Sequence, residues 1–293
     1  MKTFILLLSA INAVACYKTV VLIHGVLSDA SHMIDMKGII EKHHPGTNIV
    51  LLKLYPEIES FVPLPRQLRF WSEKLKPIML NNPDGIHLIC HSQGGLICLG
   101  IIEQFKDHNV HTLITLSSPL SGQFGVPAEM VQFIPWLNGT REALSKYMYT
   151  VIAQDTFAIS NYWKDPREEY LHFYESYASY LPLIENNPRC KKVIHEEAIE
   201  RKKNFLKLEN LVLIGGPQDE VIKPWQSSLF GFFDSDLKVV DMANQTMFIE
   251  DWFGLRTLYE RGKVYLFTIP NVRHEEWHGD ENVFEIAMKK FLV

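Results

Sequence analysis

The sequence predicts an α/β architecture: a mostly parallel sheet with helices on both faces and a helical insertion over the end that carries the chemistry. Three observations predict it. Short, continuous runs rich in Val, Ile and Leu recur along the chain, as strands buried on both faces require. Between them lie segments with apolar residues at three- and four-residue steps, the period of a one-faced helix. One long stretch, about 120–204, breaks the alternation and holds many aromatics but no buried run. Strands that alternate with helices argue for a parallel sheet covered on both sides, with ligands bound beyond the carboxyl ends of its strands.

Taken in order, the chain begins with Lys2, an apolar run from Phe4 to Leu8, and Ala13-Val14-Ala15 ahead of Cys16. That is the pattern of a secretory signal occupying 1–15, too short to span a bilayer. No other stretch reaches the roughly 18 uninterrupted apolar residues of a membrane span, so the mature chain, 16–293, is expected to be a soluble luminal or secreted single domain. Its strands are predicted at Thr19 to His24, Asn48 to Leu54, Ile86 to Cys90, Val110 to Leu116, Leu211 to Ile214 and Val264 to Ile269. Helices are predicted at Pro65 to Asn81 (Leu68, Trp71, Leu75, Ile78 and Met79 in step), Gly94 to Phe105 and Glu276 to Leu292. The insertion carries Phe133, Trp136, Tyr147, Tyr149, Tyr162, Trp163, Phe173, Tyr174, Tyr177 and Tyr180, most of them expected to pack helices and a few to line an apolar cavity.

With 29 basic against 34 acidic residues the chain has no basic excess to attract nucleic acid. Its 47% hydrophobic content suits a large core. Two sequons, at Asn138 and Asn244, are compatible with glycosylation on a secretory route. Of the four cysteines, Cys90 and Cys98 are the natural pair in an oxidising compartment, being eight residues apart around a turn; Cys190 is free or tied to Cys16. Their spacing matches no paired C-x-x-C knuckle, so no structural zinc is expected.

Chemistry enters at "CHSQGG", residues 90–95. Ser92 stands between a buried strand and a helix, in a G-x-S-x-G elbow whose first glycine is Cys90. A nucleophile on so sharp a turn projects its hydroxyl above the sheet, and the small Gly94 and Gly95 let helix and strand approach. The bland alternative is a serine that caps a helix. "HGVLSD", after the first strand, offers a second oxyanion donor, and we nominate the backbone N–H groups of Val26 and Gln93. His24 is read as a strand-end histidine with a satisfied ring. Asp219, in "GGPQDE" beyond a late strand, is the candidate acid, with Glu220 its nearest rival; His274, after the last strand, is the candidate base. His274-Glu275-Glu276-Trp277-His278 also fits the zinc motif H-E-x-x-H. Only 15 residues follow His278, with no histidine among them to serve as third ligand. We therefore take His274 as the base and His278 as a neighbouring or solvated side chain. The order Ser92, Asp219, His274 is that of α/β-hydrolases, whose chemistry needs no cofactor.

These residues, with "HLICHSQGGLIC", "LITLSSPLSGQFG", "KNFLKLENLVLIGGPQDEVIKPWQSSLFGFFD" and "NVRHEEWH", closely resemble the palmitoyl-protein thioesterases, within them the lysosomal thioesterase type, over almost the whole mature chain. The resemblance implies an α/β-hydrolase with Ser92 as nucleophile, Asp219 as acid and His274 as base, a Cys90–Cys98 disulfide, hydrolysis of fatty acyl thioesters such as long- or medium-chain acyl-CoA, and a lysosomal location. The chain is short of cysteines for the family's further disulfides. Two other classes share these features: a carboxylester lipase on the same triad, and a catalytically silent lipid-binding protein.

Overall fold

The computed structural model describes residues 17–126, 131 and 139–293. The expected signal segment 1–15, Cys16, Asn138, Phe133 and Trp136 lie outside the described residues. Six strands form one parallel sheet: β1 Thr19–Ile23, β2 Ile49–Leu51, β3 Ile86–His91, β4 Val110–Leu116, β5 Asn210–Gly215 and β6 Val264–Thr268. Their order is β2-β1-β3-β4-β5-β6, every pair parallel. The chain reverses direction of travel at β1/β3, and the carboxyl ends of β3, β4 and β5 lie side by side.

Each strand alternates between two cores, as the two-residue period of a strand demands. Along β3, Leu88 and Cys90 join the core shared with helices α2 (Leu64–Asn81) and α3 (Gln93–Gln104), whereas Ile89 joins that on the opposite face. That second core is closed by α1 (Ile34–His43), through Met36 and Ile40, and by the C-terminal segment, through Phe284, Ala287 and Met288. Helix α2 buries Leu64, Leu68, Trp71, Leu75 and Met79 on one face, the stripe its sequence announces.

The predicted C-terminal helix differs. His274–Glu276 is a single 3₁₀ turn, and helical winding resumes only at Glu281, running through an α turn, a π-helical stretch at Phe284–Met288 and a last 3₁₀ turn. Asp280 explains the restart: its carboxylate accepts the N–H groups of Asn282 and Val283 (2.7 and 3.3 Å), a new helix cap. The apolar period carries across the break, which is why the sequence reads as one helix.

Between β4 and β5 the described residues form six short helices, Arg141–Met148, Val151–Thr156, Ala158–Tyr162, Glu168–Tyr177, Leu181–Ile184 and His195–Phe205. Tyr149, Tyr162, Trp163, Tyr174 and Tyr180 are buried among them. Among the described residues no helix is long and apolar enough to cross a membrane.

Candidate active site

Ser92 follows β3 directly and precedes α3, with φ 52° and ψ −127°. A non-glycine residue at positive φ is costly, and here the sheet and helix hold it: the Ser92 N–H donates to Leu116 O of β4 at 2.9 Å. Glycines make the approach possible. A β-carbon at Gly25 would stand 2.7 Å from Ser92 Cβ, and one at Gly95 would collide with Ser118 Oγ at 2.1 Å. Cys90, where the elbow pattern has glycine, is joined to Cys98 of α3, so its side chain is taken into a link between strand and helix. Cys190 is buried and unpaired among the described residues.

The Ser92 hydroxyl donates to His274 Nε2 (2.9 Å), and His274 Nδ1 donates to Asp219 Oδ2 (2.8 Å). All three side chains are buried. Asp219 sits after β5 and its carboxylate is unusually well satisfied. Oδ2 also accepts from Trp277 Nε1 (2.9 Å) and from the Ser117 hydroxyl, while Oδ1 accepts the N–H groups of Val221 and Ile222 (both 2.9 Å). Burial pushes its proton affinity up, but the His274 bond and charge, the Ser117 hydroxyl and the Ile222 N–H outweigh that and hold the carboxyl far below the usual carboxylate range. Glu220, the rival acid candidate, accepts instead from the His274 main-chain N–H (3.2 Å) and pairs with Arg273 (3.0 Å), so it holds the His274 loop and not the ring.

Val26 and Gln93 flank the serine. Val26 lines the pocket that contains Ser92, and Gln93 is the first residue of α3, where helix N–H groups lack intrahelical partners. Ser60, unforeseen from sequence, ties the two together: its hydroxyl accepts from Leu27 N–H (2.8 Å) and its carbonyl from Gln93 Nε2 (2.9 Å). The pocket is narrow and apolar, bounded by Pro119, Val126, Ile159, Tyr162, Val221 and Ile222 around Ser92. The His24 ring nitrogens are taken up by the carbonyls of Gly25 and Leu54 (2.9 and 2.8 Å).

The zinc-motif geometry does not form. His274 and His278 are not on one helix, and both ring nitrogens of His274 are engaged. Of the two readings of His278, neighbour or solvated side chain, the structure favours the neighbour: it is buried, edge-on to the ring of His91 at 5.1 Å. His91 in turn donates from Nε2 to the His274 carbonyl (3.0 Å), which requires Nε2 to carry the proton, and burial holds the ring neutral. Three further residues thus escape a reading of sequence alone: Ser117, Trp277 and His91. The only signals in the sequence were the hydroxyl pair at the end of β4 and the position beside Ser92. Asn244, of the second sequon, is exposed in a 3₁₀ turn.

A family model described as palmitoyl protein thioesterase matches residues 19–274. Among curated relatives, the chain is 39% identical to lysosomal thioesterase PPT2-B of Xenopus laevis, over 98% of this chain and 97% of that one. It is 39% identical to lysosomal thioesterase PPT2 of Homo sapiens (95% and 89%) and 35% identical to the PPT2 homolog of Drosophila melanogaster (97% and 95%). Among solved structures, the mature lipase BlEst2 of Bacillus licheniformis superposes with a TM-score of 0.50 at 14% identity, covering 95% of this chain and 94% of that one, a likeness of fold.

Proposed function

The chain belongs to the palmitoyl protein thioesterase family, and from that premise we propose that this thioesterase cleaves fatty acyl thioesters through an acyl-enzyme on Ser92. The observation that supports the assignment most is the unbroken hydrogen-bonded series Asp219, His274, Ser92 at the carboxyl ends of β5 and β3. Ser92 Oγ attacks the thioester carbonyl while His274 Nε2 takes its proton. The oxyanion is received by the N–H groups of Val26 and Gln93, and the C–S bond breaks as the thiolate leaves with a proton from His274. Water then attacks the acyl-serine with the same imidazole as base, releasing the fatty acid. Asp219 fixes the tautomer with Nδ1 protonated and stabilises the imidazolium; five donors keep it ionised far into acid. The narrow apolar pocket beside Ser92 suits the first methylenes of an acyl chain.

The relatives' names place them in the lysosome, and we assign this chain to the same compartment, reached through residues 1–15, as a single domain with the 120–204 insertion and glycans at Asn138 and Asn244. The test of the chemistry is labelling by an active-site fluorophosphonate together with hydrolysis of a palmitoyl thioester beside its matched oxyester. Labelling and thioester hydrolysis are expected in wild type and neither in Ser92→Ala. Preference for the oxyester would make the enzyme a carboxylester lipase, and labelling that survives Ser92→Ala would remove Ser92 from the mechanism.

A further inference from the structure

His274 stands on a 3₁₀ turn of three residues, His274–Glu276, so its main chain is not fixed by a helix ladder. Side chains hold its peptide groups instead. The His274 N–H donates to Glu220 Oε2 (3.2 Å) at a half-buried site, and the His274 carbonyl accepts from His91 Nε2 (3.0 Å) in the interior. His91 is the last residue of β3, and Ser92 follows it. Two consecutive residues therefore engage the same histidine: His91 takes its carbonyl, and the Ser92 hydroxyl meets its ring at Nε2 (2.9 Å). The His91 ring also lies against the ring of His274, with centroids 4.8 Å apart and planes inclined by 39°.

A carbonyl oxygen only accepts, so His91 carries its proton on Nε2. Its Nδ1 is buried and has no hydrogen-bond partner among the described residues. A second proton there would be a donor with nothing to receive it. Burial first, and then the imidazoles of His274 and His278, hold the His91 pKa well below the ordinary histidine value; the Glu275 carboxylate and the His274 carbonyl act the other way and are outweighed. Beyond His278 lies the surface: Glu275 is exposed, with its carboxylate 3.9 Å from His278 Nε2, and the exposed His32 ring stands 6.3 Å from that of His278. His91 thus stays a neutral donor in acid, where exposed histidines are charged. Filling space does not call for this side chain. An apolar ring of similar size would bury no unpaired nitrogen, but it would take the donor from the His274 carbonyl.

We propose that His91 is a positioning residue for the base: its Nε2–H holds the main chain of His274 against the end of β3 and so sets the separation of His274 Nε2 from Ser92 Oγ. It acts through His274. Misplacing a catalytic group by about 1 Å can cost about 10²-fold in rate. This rests on the reading of Ser92 as nucleophile and His274 as base, and the test separates the two.

Steady-state kinetics on a palmitoyl thioester compare wild type with His91→Phe, which keeps a ring and loses the donor, and His91→Gln, which keeps an N–H at similar reach and loses the ring. Rates are taken per site titrated by fluorophosphonate, so that unfolded chains are not counted. His91→Phe should lower kcat about 50-fold with KM within about twofold, and His91→Gln should return kcat to within about fivefold of wild type. Nitrogen-15 imidazole spectra of wild type read the same bond without a substitution: His91 should be the neutral tautomer protonated at Nε2 and remain so at about pH 5, below the ordinary histidine value. The positioning role is overturned by a His91→Phe kcat within about threefold of wild type, a His91→Gln kcat below about a tenth of wild type, or a change confined to KM. A His91 ring protonated at Nδ1 alone overturns it as well, and decides the matter together with His91→Gln if His91→Phe does not fold. The premise is tested apart from this: labelling or thioester hydrolysis that survives Ser92→Ala overturns the nucleophile reading, whatever the His91 variants do.

Discussion

The sheet edge and the insertion are built by different physics. At the edge, the backbone ladder from β1 to β6 sets where each side chain emerges, and Ser92, Ser117 and Asp219 follow three adjacent strands. In the insertion, helices of four to eleven residues are too short to hold themselves. Buried polar side chains lock them together: Asn161 accepts from the Leu64 N–H (2.7 Å) and donates to Gln154 O (2.9 Å), while Asp165 accepts from the Ser145 hydroxyl (2.6 Å) and from Arg167 (2.6 Å). The difference teaches a division of labour. The edge fixes reacting atoms and should govern kcat; the insertion shapes the walls around them and should govern stability and KM.

The strongest test of that division is at the proposed triad. Ser92→Ala and Asp219→Asn should each lower kcat by about 10⁴-fold or more, with the fold intact; far-UV circular dichroism beside steady-state kinetics reads both. A loss of structure on the same scale would mean the edge is not the pre-formed platform described here.

A smaller effect sharpens the comparison from the opposite end of β3. His87 is fully buried, with Nε2 at the Val293 carbonyl (3.2 Å) and Nδ1 without a partner among the described residues. Burial, aided by His111, pulls its pKa down to about 4. The unfolded chain takes up this proton near 6.5 and the folded chain only near 4, so the unfolded state binds more protons between them. Stability should therefore fall as pH drops from about 6.5 to about 4, by up to about 3 kcal/mol from this group. Urea midpoints across that range should slope less in His87→Gln; an identical slope would remove His87 as a cause.

In the insertion, Asp165→Ala leaves Arg167 only the longer pair with Glu169 (3.9 Å) and loosens Ser145, which in turn holds Trp163 Nε1 (3.1 Å). Because Arg167 is partly solvated, about 2 kcal/mol is expected, below the cost of breaking a fully buried pair. KM should rise more than kcat falls, since Trp163 lines the open cavity beside the Ser92 pocket and is not among the residues that line the Ser92 pocket itself. A pure kcat defect would contradict the proposed separation.

The same contrast decides what was legible in the sequence. The strands of the edge read as apolar runs because both sheet faces are covered, and Ser92, Asp219 and His274 could be placed by which strand each follows. Ser117 and Trp277 could not, because their meeting with Asp219 spans 102 and 58 positions and leaves no local pattern. Ser60 is hidden for the same reason. The break in the C-terminal helix was missed because the apolar period runs on through the segment that Asp280 restarts. The insertion was legible only as an interruption: its short helices have no period long enough to read, and its polar hubs, Gln154, Asn161 and Asp165, look like surface residues until they are buried.

Ser117→Ala is the smallest change and the finest probe of the edge. Ser117 takes φ 43° at the end of β4, held by its N–H on Ile214 O (2.8 Å), so the backbone there is fixed independently of the hydroxyl. Alanine removes one donor from Asp219 Oδ2 and leaves Trp277 and His274 on the same oxygen. A hydrogen bond to a charged group contributes about 1.5 kcal/mol or more when nothing replaces it; with two donors remaining, about 1 kcal/mol is expected. If the hydroxyl serves the carboxylate, the loss falls on the imidazolium-bearing transition state. kcat then drops about fivefold while KM and the urea midpoint hold. A shifted midpoint with kcat unchanged would make Ser117 a strut between β4 and β5, and would move the boundary of the catalytic edge back to the three residues themselves.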